Sequence, residues 1–306
     1  MVIERRQLRV PVDDILPGVT ALAAKTIIDR DRAGESAVVL CCYSGGGMSS
    51  RYFELDGFDM AGYLARAGLA VALIDHPAVG CSDTPADPWL LAPDTVAAIE
   101  VSAARRLVNG LGFRRPTVIG VGHSMGAMLV AYQQDIGRLY SGLILIGYSG
   151  RGLPDVLEPD ERVVADDPDR IRDLAAALAR RRFREPLPAA GRGTGSLLTG
   201  PDPPAGALEA LAQASAPLLA VCGLASLLPG AHTRQLASVD VPVLLAVAEH
   251  DIVGPPAELP GYFPAAPDVA VDVVPGAYHN SNVAPARHLL WDRVAGWARG
   301  VPGAEG

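Results

Sequence analysis

Short apolar runs alternate with helical patterns along the first half of the chain. Several of these runs are apolar at every position, which is typical of strands buried on both faces of a parallel sheet. The pattern predicts strands at residues 8–12, 21–28, 37–43, 69–75, 117–121 and 143–146, and helices at 58–67, 94–111 and 124–134. This alternation predicts an α/β fold with a mostly parallel central sheet and helices on both faces.

The alternation stops near residue 150 and resumes after residue 237. The intervening segment contains turns rich in proline and glycine, and two apolar stretches of helical character at 171–179 and 208–228. Strand patterns then return at 241–247 and 269–274, before a closing amphipathic helix at 287–299. We therefore predict one α/β core made of residues 1–149 and 238–306, with residues 150–237 inserted as a helical cap.

Composition and charge limit the partners of the chain. Its 306 residues are 49% hydrophobic and 20% charged, which is ordinary for a globular protein, and the net charge is −8. Because an acidic surface repels phosphates and anionic lipids, we expect neither nucleic acid nor a membrane as partner. The first residues lack the apolar stretch of a signal peptide, and no apolar run is long enough to span a bilayer, so we expect a cytoplasmic protein.

The four cysteines do not have the spacing of a metal or redox site. Cys41 and Cys42 are adjacent on a predicted strand and should therefore point to opposite faces, while Cys81 and Cys222 stand alone. We interpret all four as small buried hydrophobic residues. The sequence predicts no metal and no cofactor.

The segment Gly122-His-Ser-Met-Gly126 matches the pattern G-x-S-x-G between a predicted buried strand and an apolar helix. A serine on such a sharp turn is lifted clear of the backbone, and the flanking glycines let neighbouring segments approach it closely. This context favours Ser124 as a nucleophile. Two alternatives stay open: a tight turn that needs glycine for structural reasons, and a dinucleotide-binding loop that also uses Gly120, although its spacing differs from G-x-G-x-x-G.

With this motif the chain resembles the α/β-hydrolase superfamily over nearly its whole length. In that family a catalytic triad follows the chain order Ser, acid, His, with the acid after a late strand and the histidine after the last one. Asp251 and His279 match those positions. The resemblance therefore implies that His279 accepts the proton of Ser124 while Asp251 orients the imidazole ring. Glu249 is the alternative acid.

The resemblance also implies an oxyanion hole formed by two backbone amides. In the family one donor follows the nucleophile directly and the other lies in the loop after the third strand, which here correspond to Met125 and to the glycines at 45–47. The family often has His-Gly at this strand end, whereas Ser44-Gly45 stands here. We predict Gly46 as the second donor. A flexible turn is the alternative interpretation of these glycines.

We interpret the remaining motif and the other histidines as structural. Residues 75–83 resemble the D-x-x-G-x-G-x-S loop of the family, with Ala78 or Val79 in place of its first glycine. The histidines for which we favour structural roles are His76, His123, His232, His250 and His288.

The inserted segment lies where the family carries the cap that covers the active site. Its leucine and alanine content suggests an apolar substrate of small to medium size, although the same residues could simply pack the cap onto the core. A basic cluster at residues 180–184 has two interpretations as well. It could bind a phosphate-bearing carrier, or it could be a solvated helix end.

These features together predict a serine hydrolase that cleaves an ester or thioester of a small-to-medium apolar acyl substrate through an acyl-enzyme on Ser124. The elbow resembles that of editing thioesterases of polyketide and peptide assembly lines, so the partner would be a small-molecule substrate or a carrier-bound acyl group. One alternative is a C–C bond hydrolase, lyase or cyclase with the same fold and triad. A non-catalytic ligand receptor is the other. A serine nucleophile argues against dehalogenase or epoxide hydrolase chemistry.

Overall fold

One sheet of eight strands forms the centre of the protein, in the order β1-β2-β4-β3-β5-β6-β7-β8. The computed structural model describes residues 3–34, 37–148, 150–162, 168–190 and 195–303. The first two strand pairings, β1 with β2 and β2 with β4, are antiparallel, and the others are parallel. This confirms the predicted α/β fold. The strands are β1 Ile3–Pro11, β2 Ala21–Asp29, β3 Val38–Tyr43, β4 Ala70–Ile74, β5 Thr117–His123, β6 Gly142–Ile146, β7 Val243–His250 and β8 Val269–Tyr278.

Helices cover both faces of this sheet. Local signals explain where some of them begin: the side chain of Asp59 accepts a hydrogen bond from the amide of Gly62, and Pro93 is the first residue of its helix. The helices are α1 Arg30–Ala33, α2 Met60–Arg66, α3 Pro93–Gly110, α4 Met125–Gly137, α5 Pro159–Arg162, α6 Pro168–Phe183, α7 Ser196–Thr199, α8 Ala207–Ala214, α9 Ala220–Ala225, α10 Thr233–Ala237 and α11 Arg287–Gly300. Shorter 3₁₀ turns occur at Ser50–Phe53, Pro88–Leu90, Pro154–Val156, Pro256–Tyr262 and Ser281–Val283.

The two faces of the sheet belong to two apolar clusters. Residues of α3 and α4 belong to one cluster, and residues of α2, α8 and α11 belong to the other. Cys41 lies in the first cluster and Cys42 in the second, which confirms that these neighbours point to opposite faces. Cys222 is also buried, but the expectation for Cys81 is wrong: this residue is exposed in the loop that follows β4, where its carbonyl oxygen accepts a hydrogen bond from Arg9.

The segment between β6 and β7 contains helices α5 to α10. Around α6 and α9 it has a small apolar cluster of its own, formed by residues such as Ile171, Leu178 and Leu224. Helix α8 instead contributes Leu211 to the core cluster that includes β3. The segment therefore rests partly on the core. Residue 149, at the predicted boundary, lies outside the described residues, and the division into core and cap stays a prediction.

The expectation of one helical stretch over 208–228 is wrong. The chain leaves helical geometry between α8 and α9, where Ser215 forms an isolated bridge with Met48 and Pro217 forms another with Ala189. These pairings connect the break to distant parts of the chain, so the local apolar pattern could not reveal it. Among the described residues, no helix combines the length and the apolar composition needed to cross a lipid bilayer.

Candidate active site

Ser124 occupies the turn between β5 and α4. Its backbone lies in the positive-φ region, with φ 53° and ψ −120°. A residue other than glycine is strained in such a conformation by roughly 1–3 kcal/mol, and this strain persists only where the surroundings enforce it. Here the amide of Ser124 donates a hydrogen bond of 2.9 Å to the carbonyl oxygen of Ile146 at the end of β6. The turn is thus attached to the neighbouring strand.

The two glycines of the motif allow this turn to pack tightly. A methyl group on Gly122 would lie 2.3 Å from Cα of Ala127, and one on Gly126 would lie 2.4 Å from the carbonyl oxygen of Ser44. Neither distance is compatible with a side chain, because the contacted atoms belong to the backbone. The expectation that these glycines permit close backbone packing is confirmed.

Asp251 and His279 lie together at the ends of neighbouring strands. Asp251 follows β7 and His279 follows β8, and these strands are parallel. Nδ1 of His279 lies 2.7 Å from Oδ1 of Asp251, and the two side chains are only 7% and 3% exposed. Because a carboxylate can only accept a hydrogen bond, Nδ1 carries the proton of a neutral ring, and Nε2 is then free to accept another.

The Asp251 carboxylate is stabilised in its charged form. Burial alone would raise its pKa, but the hydrogen bond and charge of His279 and the amides of Ala248 and Ile252 hold the pKa below its ordinary value. The two amides donate at 3.0 and 2.8 Å. Glu249, the alternative acid, has a different environment. It is exposed, and its carboxylate accepts a hydrogen bond of 2.7 Å from the amide of Gly276. Of the two acids, Asp251 is the one hydrogen-bonded to His279.

A small cavity joins the predicted nucleophile and base. Ser124 and His279 both line it, and its volume is about 60 Å³. Its other walls are formed by Met125, Gly147, Tyr148, Gly150, Gly152, Leu153, Ser226, Leu227, Ile252 and Val253. A larger groove of about 880 Å³ lies beside β1 and β2, and among its charged side chains Arg5 and Lys25 pair with Glu54. We place the candidate site in the small cavity because Ser124 and His279 both line it and His279 is hydrogen-bonded to Asp251.

Gly147 is a site residue that the sequence analysis missed. It follows β6, and a methyl group on it would lie 3.1 Å from the ring of His279 and 3.6 Å from Oδ2 of Asp251. One signal could have indicated it. The carboxyl ends of parallel strands meet at one edge of a sheet, so the residue after β6 had to lie beside the elbow.

The predicted oxyanion donors lie beside Ser124. A methyl group on Gly46 would lie 3.4 Å from Sδ of Met125, and one on Gly45 would lie 3.2 Å from Cβ of Ser124. Met125 is the first residue of α4, a position whose amide has no partner within the helix. Both loops therefore border the nucleophile, and the donor roles of Gly46 and Met125 stay predictions.

Comparison with known proteins identifies the family. The sequence matches the model of the Alpha/beta hydrolase family over residues 38–289. The chain belongs to the alpha/beta hydrolase family. It is therefore a hydrolytic enzyme by class, and its elbow glycines need no dinucleotide to explain them. A search of curated protein sequences finds no match.

Solved structures of this family share the fold at low sequence identity. A peroxisomal alpha-beta-hydrolase from Saccharomyces cerevisiae is 16% identical, with a TM-score of 0.64 over 98% of this chain and 89% of that chain. A thermophilic esterase from Thermogutta terrifontis is 16% identical, with a TM-score of 0.60 over 97% of this chain and 99% of that chain. The thioesterase domain from the curacin biosynthetic pathway is 16% identical, with a TM-score of 0.60 over 98% and 100% of the two chains. At this identity the similarity establishes the fold alone.

Within this hydrolase, two further histidines lie close to the loops that form the candidate site. His123 stacks on Tyr52 with ring centroids 4.4 Å apart, and its Nε2 lies 3.1 Å from the carbonyl oxygen of His279. Burial, together with the charge of His279, lowers the pKa of His123 to about 3, so the ring is neutral and Nε2 donates. His76 is buried beside Glu100. Both contacts agree with the structural roles expected for these two residues.

The basic cluster at the end of α6 is engaged with neighbouring side chains. The guanidinium of Arg180 lies over the ring of Trp89 at 4.6 Å, Arg181 pairs with Asp160, and Arg182 pairs with the buried Glu161. Because the charges of Arg181 and Arg182 are paired with carboxylates, these two arginines are poorly suited to bind a phosphate. The contacts favour the interpretation as a helix end over a carrier-binding site.

Proposed function

We propose that this hydrolase cleaves an ester or thioester of a small apolar acyl substrate through an acyl-enzyme on Ser124. One observation carries the proposal. Ser124 is held in a strained turn on a cavity that His279 also lines, and His279 is hydrogen-bonded to a buried Asp251 carboxylate. An activated serine needs such a base and such an orienting acid.

In the first half of the proposed reaction, Oγ of Ser124 attacks the substrate carbonyl carbon while Nε2 of His279 takes its proton. The negative charge then develops on the carbonyl oxygen, where the amides of Gly46 and Met125 would stabilise it. Collapse of this intermediate breaks the bond to the leaving alcohol or thiol, which receives the proton from His279. A water molecule, activated by the same ring, then hydrolyses the acyl-enzyme.

The size and lining of the cavity support a short acyl group. Its volume of about 60 Å³ is well below the roughly 300–1,000 Å³ of pockets that hold drug-sized ligands. Leu153, Leu227 and Val253 give it apolar walls. The alcohol or thiol part of the substrate would then extend out of the cavity. This arrangement is compatible with a carrier-bound acyl group as well as with a small free ester.

A panel of p-nitrophenyl esters and acyl thioesters, from acetyl to dodecanoyl, tests the proposal. We expect hydrolysis of the shortest members and its loss in Ser124→Ala. A fluorophosphonate probe should label the wild-type protein and should not label this variant. Labelling that survives Ser124→Ala would contradict the nucleophile. A protein that is labelled at Ser124 but hydrolyses no member of the panel would contradict ester and thioester cleavage, and it would favour C–C bond chemistry or a receptor.

A further inference from the structure

A chain of buried polar side chains ends at the loop beside the nucleophile. His76 and Glu100 form an ion pair in which both side chains are completely buried. The other oxygen of Glu100 accepts a hydrogen bond of 2.6 Å from Gln133, whose side-chain oxygen accepts one from Tyr140. The chain of hydrogen bonds thus runs from Tyr140 through Gln133 and Glu100 to His76, where Nε2 is the last polar atom. That nitrogen lies 2.9 Å from the carbonyl oxygen of Ser44.

The protonation state of His76 follows from its partners. A carbonyl oxygen can only accept, so Nε2 carries a hydrogen, and the Glu100 carboxylate requires a second hydrogen on Nδ1. Burial alone would lower the pKa of His76, but the charge and hydrogen bond of Glu100 and the Ser44 carbonyl raise it above its ordinary value. Both ring nitrogens are therefore engaged, and the raised pKa favours the charged form of the ring. A charge-assisted hydrogen bond of this kind is roughly twice as strong as a neutral one.

This hydrogen bond orients the loop that contains the predicted oxyanion donor. The carbonyl of Ser44 and the amide of Gly45 belong to one rigid trans peptide unit, so fixing the oxygen also fixes the direction of the N–H group. The next peptide unit is fixed in the same way, because Met48 donates to the carbonyl oxygen of Gly45 at 3.2 Å. The hydroxyl of Ser44 closes the loop by donating to the carbonyl oxygen of Met48 at 2.8 Å.

We propose that His76 is a positioning residue, which holds the 44–47 loop in the orientation that the oxyanion hole needs by binding the Ser44 carbonyl. Glu100 keeps the His76 ring charged and in place. This inference rests on the proposed function for its catalytic consequence. Its structural part, the ordering of the loop, does not depend on the reaction.

Two variants separate the hydrogen bond from the charge. Glu100→Gln removes the charge but lets a neutral His76 keep both contacts. The double variant His76→Phe with Glu100→Gln removes the donor to Ser44 and leaves no unpaired buried charge, which would otherwise threaten folding. Leu107→Ala, a core truncation in the same helix as Glu100, is the matched control for a general loss of stability.

The closing experiment measures hydrogen exchange of the 44–48 amides together with kcat and KM for p-nitrophenyl acetate. In the double variant we expect faster loop exchange and a fall in kcat of about 10²-fold at nearly constant KM, as for a misplaced catalytic group. Glu100→Gln should retain more of its kcat, and Leu107→Ala should keep the wild-type kcat. The proposal would be overturned if the 44–48 amides of the double variant exchanged at the wild-type rate. It would also be overturned if kcat fell equally in all three variants. A wild-type protein that hydrolyses no ester would instead contradict the proposed function, while the exchange measurement still decides whether His76 holds the loop.

Discussion

The strained backbone of Ser124 has a thermodynamic consequence that can be measured. At φ 53° a Cβ atom crowds the backbone, whereas glycine adopts this conformation readily. We therefore expect Ser124→Gly to raise the free energy of unfolding by about 1 kcal/mol while abolishing activity. Urea denaturation of the variant and of the wild type measures the difference. Ser124→Ala is the control, since it also removes the hydroxyl but retains Cβ. Equal stability of the Gly and Ala variants would show that the strain does not exceed the roughly 0.4–1 kcal/mol that the greater freedom of glycine in the unfolded chain costs.

The two acids at the carboxyl end of β7, Glu249 and Asp251, differ in their contacts, and their variants should differ accordingly. Asp251→Asn removes the charge that selects the Nδ1–H form of His279, so we expect kcat for a p-nitrophenyl ester to fall by about 10⁴-fold with the fold intact. Glu249→Gln should have little effect, because Glu249 contacts the Gly276 amide. The opposite result would reassign the acid to Glu249.

At the scale of elements, the sequence predicts the strands well because each central strand is a short run buried on both faces. For the segment 75–83 the sequence leaves two residues open, because either Ala78 or Val79 could replace the first glycine of the family motif. The structure assigns Ala78, whose φ of 62° is the conformation that glycine favours. The apolar pattern alone did not reveal the break between α8 and α9, where Ser215 forms a bridge with Met48. Pro217 is a local signal for this break, because proline interrupts a helix.

The residues of the candidate site also differ in how far the sequence predicts them. Ser124, Asp251 and His279 follow from a motif, a chain order and the ends of strands, which are properties of the sequence. The contact of His76 with Ser44 is different. It joins residues 32 positions apart through side-chain burial, and no local pattern encodes such a contact.

The segment between β6 and β7 contains a residue that should control substrate size. Leu227 lines the cavity. Leu227→Ala removes about 3 carbon atoms, so it should enlarge the cavity and shift the preference among p-nitrophenyl esters toward acyl chains longer by about two to three carbons. The ratio of kcat/KM for hexanoate and acetate measures this shift. Leu224→Ala in α9 is the control, because Leu224 is fully buried in the separate cluster. A similar shift in both variants would show that loosened packing, and not cavity size, determines the preference.

For the whole molecule, two buried histidines predict a loss of stability in acid. Burial lowers the pKa of His232 to about 4, against an ordinary value of 6.5. Below pH 6.5 the unfolded chain binds a proton at this residue that the folded protein does not bind. Its contribution to stability is therefore present above pH 6.5 and is lost as the pH falls toward 4. His123, with its pKa of about 3, likewise lowers the stability of the folded protein as the pH falls. The raised pKa of His76 has the opposite effect on stability.

Comparison with a variant isolates the contribution of His232. Between pH 7.5 and pH 5.0 the free energy of unfolding should decrease by about 2 kcal/mol less in His232→Gln than in the wild type. Urea denaturation at the two pH values measures both decreases, and the other titrating groups cancel in the difference. An identical decrease in the two proteins would mean that His232 titrates alike in the folded and unfolded states.

The sheet ends at β1 on one side and at β8 on the other, and an open edge of this kind is a template onto which a strand of another molecule can add. Both edges carry features that oppose such addition. Arg5, Arg6 and Arg9 lie along β1, each paired with a carboxylate, and a further strand would have to displace or desolvate this row of charged side chains. In β8, Pro275 lacks the amide that a further strand would need. The same eight strands that assemble the site are thereby protected from joining the sheets of neighbouring molecules into an aggregate.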